Sequence, residues 1–397
     1  MDGQTPFEDL YPKELRTQPL PPPPVSIPFW KTRRGVRVVG ITILAFAIIG
    51  AIVGIVVSTE KKSEGSDAKS SGAGGTSSNG TVAGLGGAGV AAVNWQDNGQ
   101  QIRVYIQKDD GFVYEAASEQ SNNWNTNTTT QLFQAKAGTP LAAVVPGPSQ
   151  IHLYYLDTSN ILQEYIYDGS WAKGPTLLPY TNLAPNTSLA ATTWTDSSSV
   201  QQIRLYYQKQ DNTIQELSYA TSSGWSPGHS FTDQAYPGTG LSAVANSAGG
   251  NLSCSIYWQG NDLTLNQYIL PPSSWTRNTL QWSPAPSSGI AAIIYADYYL
   301  HDLHVRVYHE STAGIIQEDA YDAPPSGAQG WSSATTAINS NTLVNVPTPI
   351  STTVWTNSTG IEVRSYVKNS TNNVYFEFSY SIIGGDSSGW NSKELSF

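Results

Sequence analysis

From residue 91 onward the chain alternates apolar and polar residues in short runs that recur about every 51 residues, within the range of propeller repeats. Six copies are legible. Each opens on a small-apolar strand: Ala91-Ala-Val, Leu141-Ala-Ala-Val, Leu189-Ala-Ala-Thr, Leu241-Ser-Ala-Val, Ile290-Ala-Ala-Ile and Ile350-Ser-Thr-Thr-Val. An alternating strand follows, as in Ile102-Arg-Val-Tyr-Ile-Gln107 and Ile203-Arg-Leu-Tyr-Tyr-Gln208. After an Asp, Asn or Gly turn comes a third strand such as Ile214-Gln-Glu-Leu217, and every copy then carries a tryptophan. Short alternating strands between turn residues predict antiparallel β-structure. Six four-stranded units in series predict an all-β fold, a six-bladed β-propeller, whose radial closure leaves few exposed edges. A two-sheet sandwich does not account for the fixed period.

Ahead of the repeats the pattern changes. Residues 1–37 are proline-rich and favour polyproline II around Pro19-Leu-Pro-Pro-Pro-Pro-Val25. Arg16-x-x-Pro19-x-x-Pro22 fits an SH3-type ligand pattern, although a stiff solvated tail is the plainer reading. Residues 38–57 hold no charge, and as a helix they would span about 30 Å, the hydrocarbon thickness of a bilayer. This reads as one transmembrane signal anchor. Residues 58–90 are rich in Ser and Gly and read as a flexible stalk, leaving 91–397 for the propeller. Lys31, Arg33, Arg34 and Arg37 precede the span and weakly favour a cytoplasmic N-terminus. Six Asn-x-Ser/Thr sequons begin at Asn79, Asn127, Asn186, Asn251, Asn357 and Asn369, all after the span. The expectation is a single-pass membrane glycoprotein with an extracellular or lumenal propeller.

Charge and cysteine content narrow the chemistry. Past residue 90 there are 11 Lys and Arg against 23 Asp and Glu, so no basic footprint for nucleic acid exists. The single cysteine excludes a disulfide framework and a cysteine-based zinc site. His301, His304 and His309 lie near one another in sequence but read as ordinary strand and loop residues, so no metal or cofactor is expected.

Two columns of the repeat carry chemistry. The position two before the shared tyrosine of the second strand holds Arg103, His152, Arg204, Ser255, Arg306 and Arg364. The third strand supplies Glu115, Glu164, Glu216, Gln267, Glu318 and Glu377. Four of the repeat region's five arginines and five of its nine glutamates fall in these two columns, whereas a solvated face would spread its charge. One reading is a structural Arg–Glu pair facing across each hairpin. An exposed pair is worth only about 0–1 kcal/mol, a weak reason for four copies. The other reading is a repeated ligand site. A vicinal diol accepts from the guanidinium fork and donates to the carboxylate, and an indole walls the sugar's C–H face. The constellation therefore points to a neutral monosaccharide.

The Arg-(Val/Leu)-Tyr strand, the Ile-Gln-Glu strand and the trailing Gly-Trp resemble the fungal fucose-specific lectins of the Aleuria type, over residues 91–397. The resemblance implies L-fucose and fucosylated glycans as ligands, bound between blades by Arg and Glu of one blade and Trp of the next. Carried over by position, it implies four well-equipped pockets. These are Arg103, Glu115 and Trp171 (with Tyr167); Arg204, Glu216 and Trp275; Arg306, Glu318 and Trp390 (with Tyr380); and, closing the ring, Arg364, Glu377 and Trp124. His152, Glu164 and Trp225 lack the guanidinium fork, and Ser255, Gln267 and Trp331 have lost both charges. No catalysis is expected. A propeller glycosidase is the first alternative, but hydrolysis needs two carboxyl groups in one pocket and each unit offers one at the shared position. A protein-binding ectodomain without sugar affinity is the second. A homodimer and an SH3-type partner for the tail stay open.

Overall fold

The computed structural model describes residues 89–395, apart from short loop segments of which 339–347 is the longest. The tail, the anchor and nearly all of the stalk lie outside the described residues, as do the sequons at Asn79, Asn127 and Asn251 and the side chain of His301. No helix among the described residues is long and apolar enough to cross a membrane.

Among the described residues twenty-six strands form six antiparallel sheets, each built from consecutive strands of one repeat. The sheets are β1–β5 (Val90–Gln134), β6–β9 (Ala142–Lys173), β10–β13 (Leu189–Ser230), β14–β17 (Leu241–Thr279), β18–β21 (Ile290–Ile338) and β22–β26 (Ile350–Leu395). The second to fifth blades have four strands. In the first and last blades the outermost strand is split in two, β4 and β5 or β25 and β26, giving five. Val90, assigned to the stalk by the sequence, is the first residue of β1.

Why each repeat opens on small residues becomes clear at the centre. The innermost strands β1, β6, β10, β14, β18 and β22 neighbour one another in a closed ring. Together they line an axial cavity of about 120 Å³. Small residues here let these strands approach closely: Ala91, Ala142, Ala190 and Ala291 pack against the innermost strand of the next blade, and the Ser242 and Ser351 hydroxyls accept from the Ala292 and Ala92 N–H groups of the next blade. The turn between the second and third strands needs a left-handed residue, supplied by Gly111, Asn160, Asn212 and Gly314, and by Leu263 at φ 67°.

The core is not one mass but six clusters, each drawn from two adjacent blades. Leu156, Leu162 and Tyr154 of the second blade pack with Leu189, Ile203 and Leu205 of the third. Trp355, Tyr366 and Tyr375 of the sixth pack with Val90, Ile102 and Val104 of the first. Among the described residues no strand is exchanged between the first and last blades. The ring closes through packing and side-chain hydrogen bonds: Ala92 N–H donates to Ser351 Oγ at 2.9 Å, and Tyr375 O–H donates to the Gln107 carbonyl at 3.2 Å. Of the sequons in the described region, Asn369 is 6% exposed, so its amide is no acceptor for a glycan in the folded domain.

Candidate functional site

Alternation along the second strand puts the column arginine and the shared tyrosine on one face. Register then decides what stands opposite. In the first blade Tyr105 pairs with Glu115, while Arg103 pairs with Ala117. The same holds for Tyr206 and Glu216, Tyr308 and Glu318, and Tyr366 and Glu377. The sequence reading of arginine and glutamate facing across the hairpin is thus corrected: they are diagonal neighbours, and the tyrosine is the direct partner. The thirteen-residue spacing in the last blade leaves this register intact.

The tyrosine has a definite task. Its hydroxyl donates to Oε2 of the glutamate, at 3.0 Å from Tyr105, 2.8 Å from Tyr206 and 3.0 Å from Tyr366. The other carboxylate oxygen faces the arginine without reaching it. Arg204 Nε lies 3.7 Å from Glu216 Oε1, Arg306 Nε 3.7 Å from Glu318 Oε1, and Arg364 Nε 4.0 Å from Glu377 Oε1. These separations exceed hydrogen-bond length. Each pair attracts electrostatically across a gap that a third group can bridge, although Glu216 Oε1 already accepts from the Ser218 hydroxyl and the His229 N–H, each at 3.2 Å.

The third wall comes from the next blade in all six junctions. Trp171 packs edge-on against Tyr105, Trp225 against Tyr154, Trp275 against Tyr206, Trp331 against Tyr257, Trp390 against Tyr308 and Trp124 against Tyr366, with centroids 5.8–6.4 Å apart. The structure therefore brings together every Arg, Glu and Trp expected in the four equipped pockets. Tyr167 and Tyr380 lie beside Trp171 and Trp390, at 5.5 and 5.3 Å.

The sequence matches the family of fungal fucose-specific lectins over residues 85–246 and 170–395. The chain belongs to this family. The fucose-specific lectin of Aleuria aurantia is 32% identical over 240 residues, covering 58% of this chain and 74% of that protein. That of Aspergillus fumigatus is 31% identical over 242 residues, covering 59% and 74%. The crystal structure of the six-bladed Aleuria aurantia lectin has a TM-score of 0.63 at 28% identity, covering 77% of this chain and 95% of that one. A single-residue variant of the same lectin in complex with α-methyl-L-fucoside has a TM-score of 0.64 at 28% identity, covering 77% and 94%. These relatives are non-enzymatic carbohydrate-binding proteins, and the chain is a lectin of that kind.

The six junctions of this lectin are not equivalent. Between the second and third blades His152 Nδ1 lies 2.7 Å from Glu164 Oε1, and the Trp225 indole donates to Glu164 Oε2 at 3.3 Å. Both carboxylate oxygens are spent within the protein. Between the fourth and fifth, Gln267 Nε2 donates to Ser255 Oγ at 3.2 Å and to the Tyr257 hydroxyl at 2.9 Å, a neutral junction closed on itself. The junction of the sixth blade with the first departs from expectation. Its arginine and glutamate side chains are only 7% and 8% exposed, and Trp124 is buried as well. The Trp124 indole donates to Glu377 at 3.1 Å, while Arg364 Nε is buried without a hydrogen-bond partner. Arg204 is the most open of the three arginines within 4.0 Å of their column glutamate, at 20% side-chain exposure against 15% for Arg306 and 7% for Arg364.

Three features escaped the sequence reading. Second acids do stand near two arginines: Asp322 accepts from Arg306 Nη1 at 2.9 Å, and Glu362 accepts from Arg364 Nη1 at 2.9 Å. Each is committed to its arginine, an arrangement of ion pairing rather than of paired acid and base. Asp322 also lies 2.6 Å from His304 Nδ1, and buried Asp319 lies 2.9 Å from His309 Nε2, so each of these strand histidines is paired with an aspartate that the sequence did not identify. Third, an aromatic ring of the innermost strand lies under each arginine. Burial is the leading cause that raises the carboxyls of Glu115, Glu318 and Glu377 above their usual range, with the arginine of each pocket opposing it.

Proposed function

We propose that the propeller binds L-fucose and fucosylated glycans in the pockets between blades. Binding falls first to Arg103, Glu115 and Trp171, to Arg204, Glu216 and Trp275, and to Arg306, Glu318 and Trp390. The carrying observation is the gap of 3.7 Å between guanidinium and carboxylate in the second and third of these. At Arg306 and Glu318 one sugar hydroxyl can accept from Nε and donate to Oε1, completing two charge-assisted hydrogen bonds; at Glu216 it must share Oε1 with the Ser218 hydroxyl and the His229 N–H, each at 3.2 Å. The neighbouring indole offers its face or edge to the apolar side of the sugar. The choice of fucose rests on the family. The pocket of Arg364, Glu377 and Trp124 takes sugar less readily, because a ligand there must first displace the indole N–H from Glu377.

The propeller is displayed on a membrane through residues 38–57, with the N-terminus cytoplasmic. Support for this is the 20-residue uncharged run and the placement of the sequons after it. Calorimetric titration of the chain with α-methyl-L-fucoside tests the first part: no heat of binding by a folded chain ends the lectin reading. Alkaline extraction of membranes tests the second, since a chain released with peripheral proteins is not anchored.

A further inference from the structure

Against each arginine, on the same face of the sheet, lies a ring from the innermost strand of the same blade. Arg103 Cζ is 5.1 Å from the centroid of Trp95, Arg204 4.8 Å from Trp194, Arg306 5.8 Å from Tyr295 and Arg364 5.1 Å from Trp355. These are cation–π distances. All four arginines also donate from Nη1 to the carbonyl of the preceding residue, at 2.9–3.0 Å. Register puts the ring at one position throughout: the residue opposite the arginine is Val93, Thr192, Ile293 or Thr353, and the ring stands two further on, on the same face.

The two blades without arginine lack the ring. Counting two on from Val144, opposite His152, gives Pro146; counting two on from Val244, opposite Ser255, gives Asn246. Both blades still form their sheets and their interblade cores. A blade therefore forms without an aromatic residue at this position, and although Tyr295 and Trp355 also pack in interblade clusters, the ring is found where the guanidinium is.

We infer that Trp95, Trp194, Tyr295 and Trp355 are positioning residues for the sugar pockets, each holding its arginine with Nε toward the glutamate before any ligand arrives. This rests on the fucose reading above. Trp194, Tyr295 and Trp355 are buried, so they act through the arginine rather than by touching the sugar. An arginine side chain loses much rotamer freedom on being fixed. A ring face that fixes one guanidinium plane removes that cost from the binding step. The carbonyl of the preceding residue and the ring together occupy Nη1 and one face, leaving Nε and Nη2 for a planar, two-point grip on a diol.

A double-mutant cycle on the full chain tests this at the pocket of Arg204, Glu216 and Trp275, read by calorimetric stoichiometry and affinity for α-methyl-L-fucoside. R204A should remove one site. W194L should weaken that one site by about 5- to 30-fold, the range of a partly desolvated cation–π contact. W194Y, the exchange already present in the fifth blade, should restore it. On the R204A background W194L should change nothing further in sugar binding. If R204A leaves the stoichiometry unchanged, the fucose reading of this pocket is wrong, and the role of Trp194 falls with it. If R204A removes the site while W194L binds like wild type, only the positioning role is overturned. If W194L fails to fold, W194Y and W194F still decide. Loss of the site in both, with unchanged melting, overturns a role that any ring should fill. Retention supports the role if the Arg204 side-chain N–H resonances keep a ring-current shift, and overturns it if they do not.

Discussion

Trp124 of the first blade donates its indole N–H to Glu377 of the last at 3.1 Å, joining residues 253 positions apart. Because, among the described residues, no strand is shared between the first and last blades, this bond and the hydrophobic cluster around it form part of the seam of the ring. W124F should destabilise the domain by about 1–3 kcal/mol, the cost of leaving a buried carboxylate oxygen short of a donor. Urea denaturation checks it, and an unchanged midpoint would place the closure energy elsewhere.

Pocket identity is open to counting. R204A and R306A should each lower the fucoside stoichiometry by one, and the double variant by two. Both arginines are partly exposed, so melting should shift little. Q267A, at the neutral junction already satisfied by Ser255 and Tyr257, should leave stoichiometry unaltered.

Tyr206 fixes the carboxylate that the sugar would use. Y206F removes the 2.8 Å hydrogen bond to Glu216 Oε2, leaving the carboxylate held only through Oε1, by the Ser218 hydroxyl and the His229 N–H, and free to tilt toward Arg204. The pocket should lose about tenfold in affinity, the equivalent of roughly 1.4 kcal/mol. Titration of the variant against wild type measures it.

Gly228 leaves room for that same carboxylate. A Cβ there would stand 2.3 Å from Glu216 Oε1 and 2.7 Å from its Cγ. G228A should therefore displace Glu216, silence this pocket alone and cost about 1–3 kcal/mol through overpacking. Fucoside titration and urea denaturation read the two effects. G330A is the control, because nothing lies within 4 Å of a Cβ at that glycine.

Acid should affect binding and stability in opposite directions through Glu115, Glu318 and Glu377. Their carboxyls are raised above the usual 4.5 mainly by burial. Between that value and the raised one the folded state binds more protons than the unfolded state, so these groups contribute stability at low pH that is lost as pH rises. Sugar binding needs the ionised acceptor and should fall as pH drops through the same window. E318Q should remain flat across that window in its own contribution. Denaturation and fucoside titration from pH 7 downward read the two effects, and a parallel decline in wild type and E318Q would contradict the assignment.

Some of this was legible before any coordinates. The period, the alternation and the turn residues specify strands and blades, since they reflect local geometry repeated six times. Small residues at the start of each unit were visible too, although their place around the central axis was not. The columns of Arg, Glu and Trp were visible because repetition exposes a pattern that a single copy conceals.

Other features depended on distances between segments far apart in sequence. Whether Glu115 faces Arg103 or Tyr105 is a matter of strand register, which a spacing of twelve residues does not specify. That Asp322 reaches Arg306, and that Trp194 lies beneath Arg204, follow from twist and side-chain direction across neighbouring strands.

Chain order alone established the six units and which side chains share a face, because alternation is a property of neighbouring residues. Only the closed ring decided which pockets stand open and which are shut. How near Trp124 comes to Glu377 depends on how closely two blades approach, and that distance is set by packing around the whole circle.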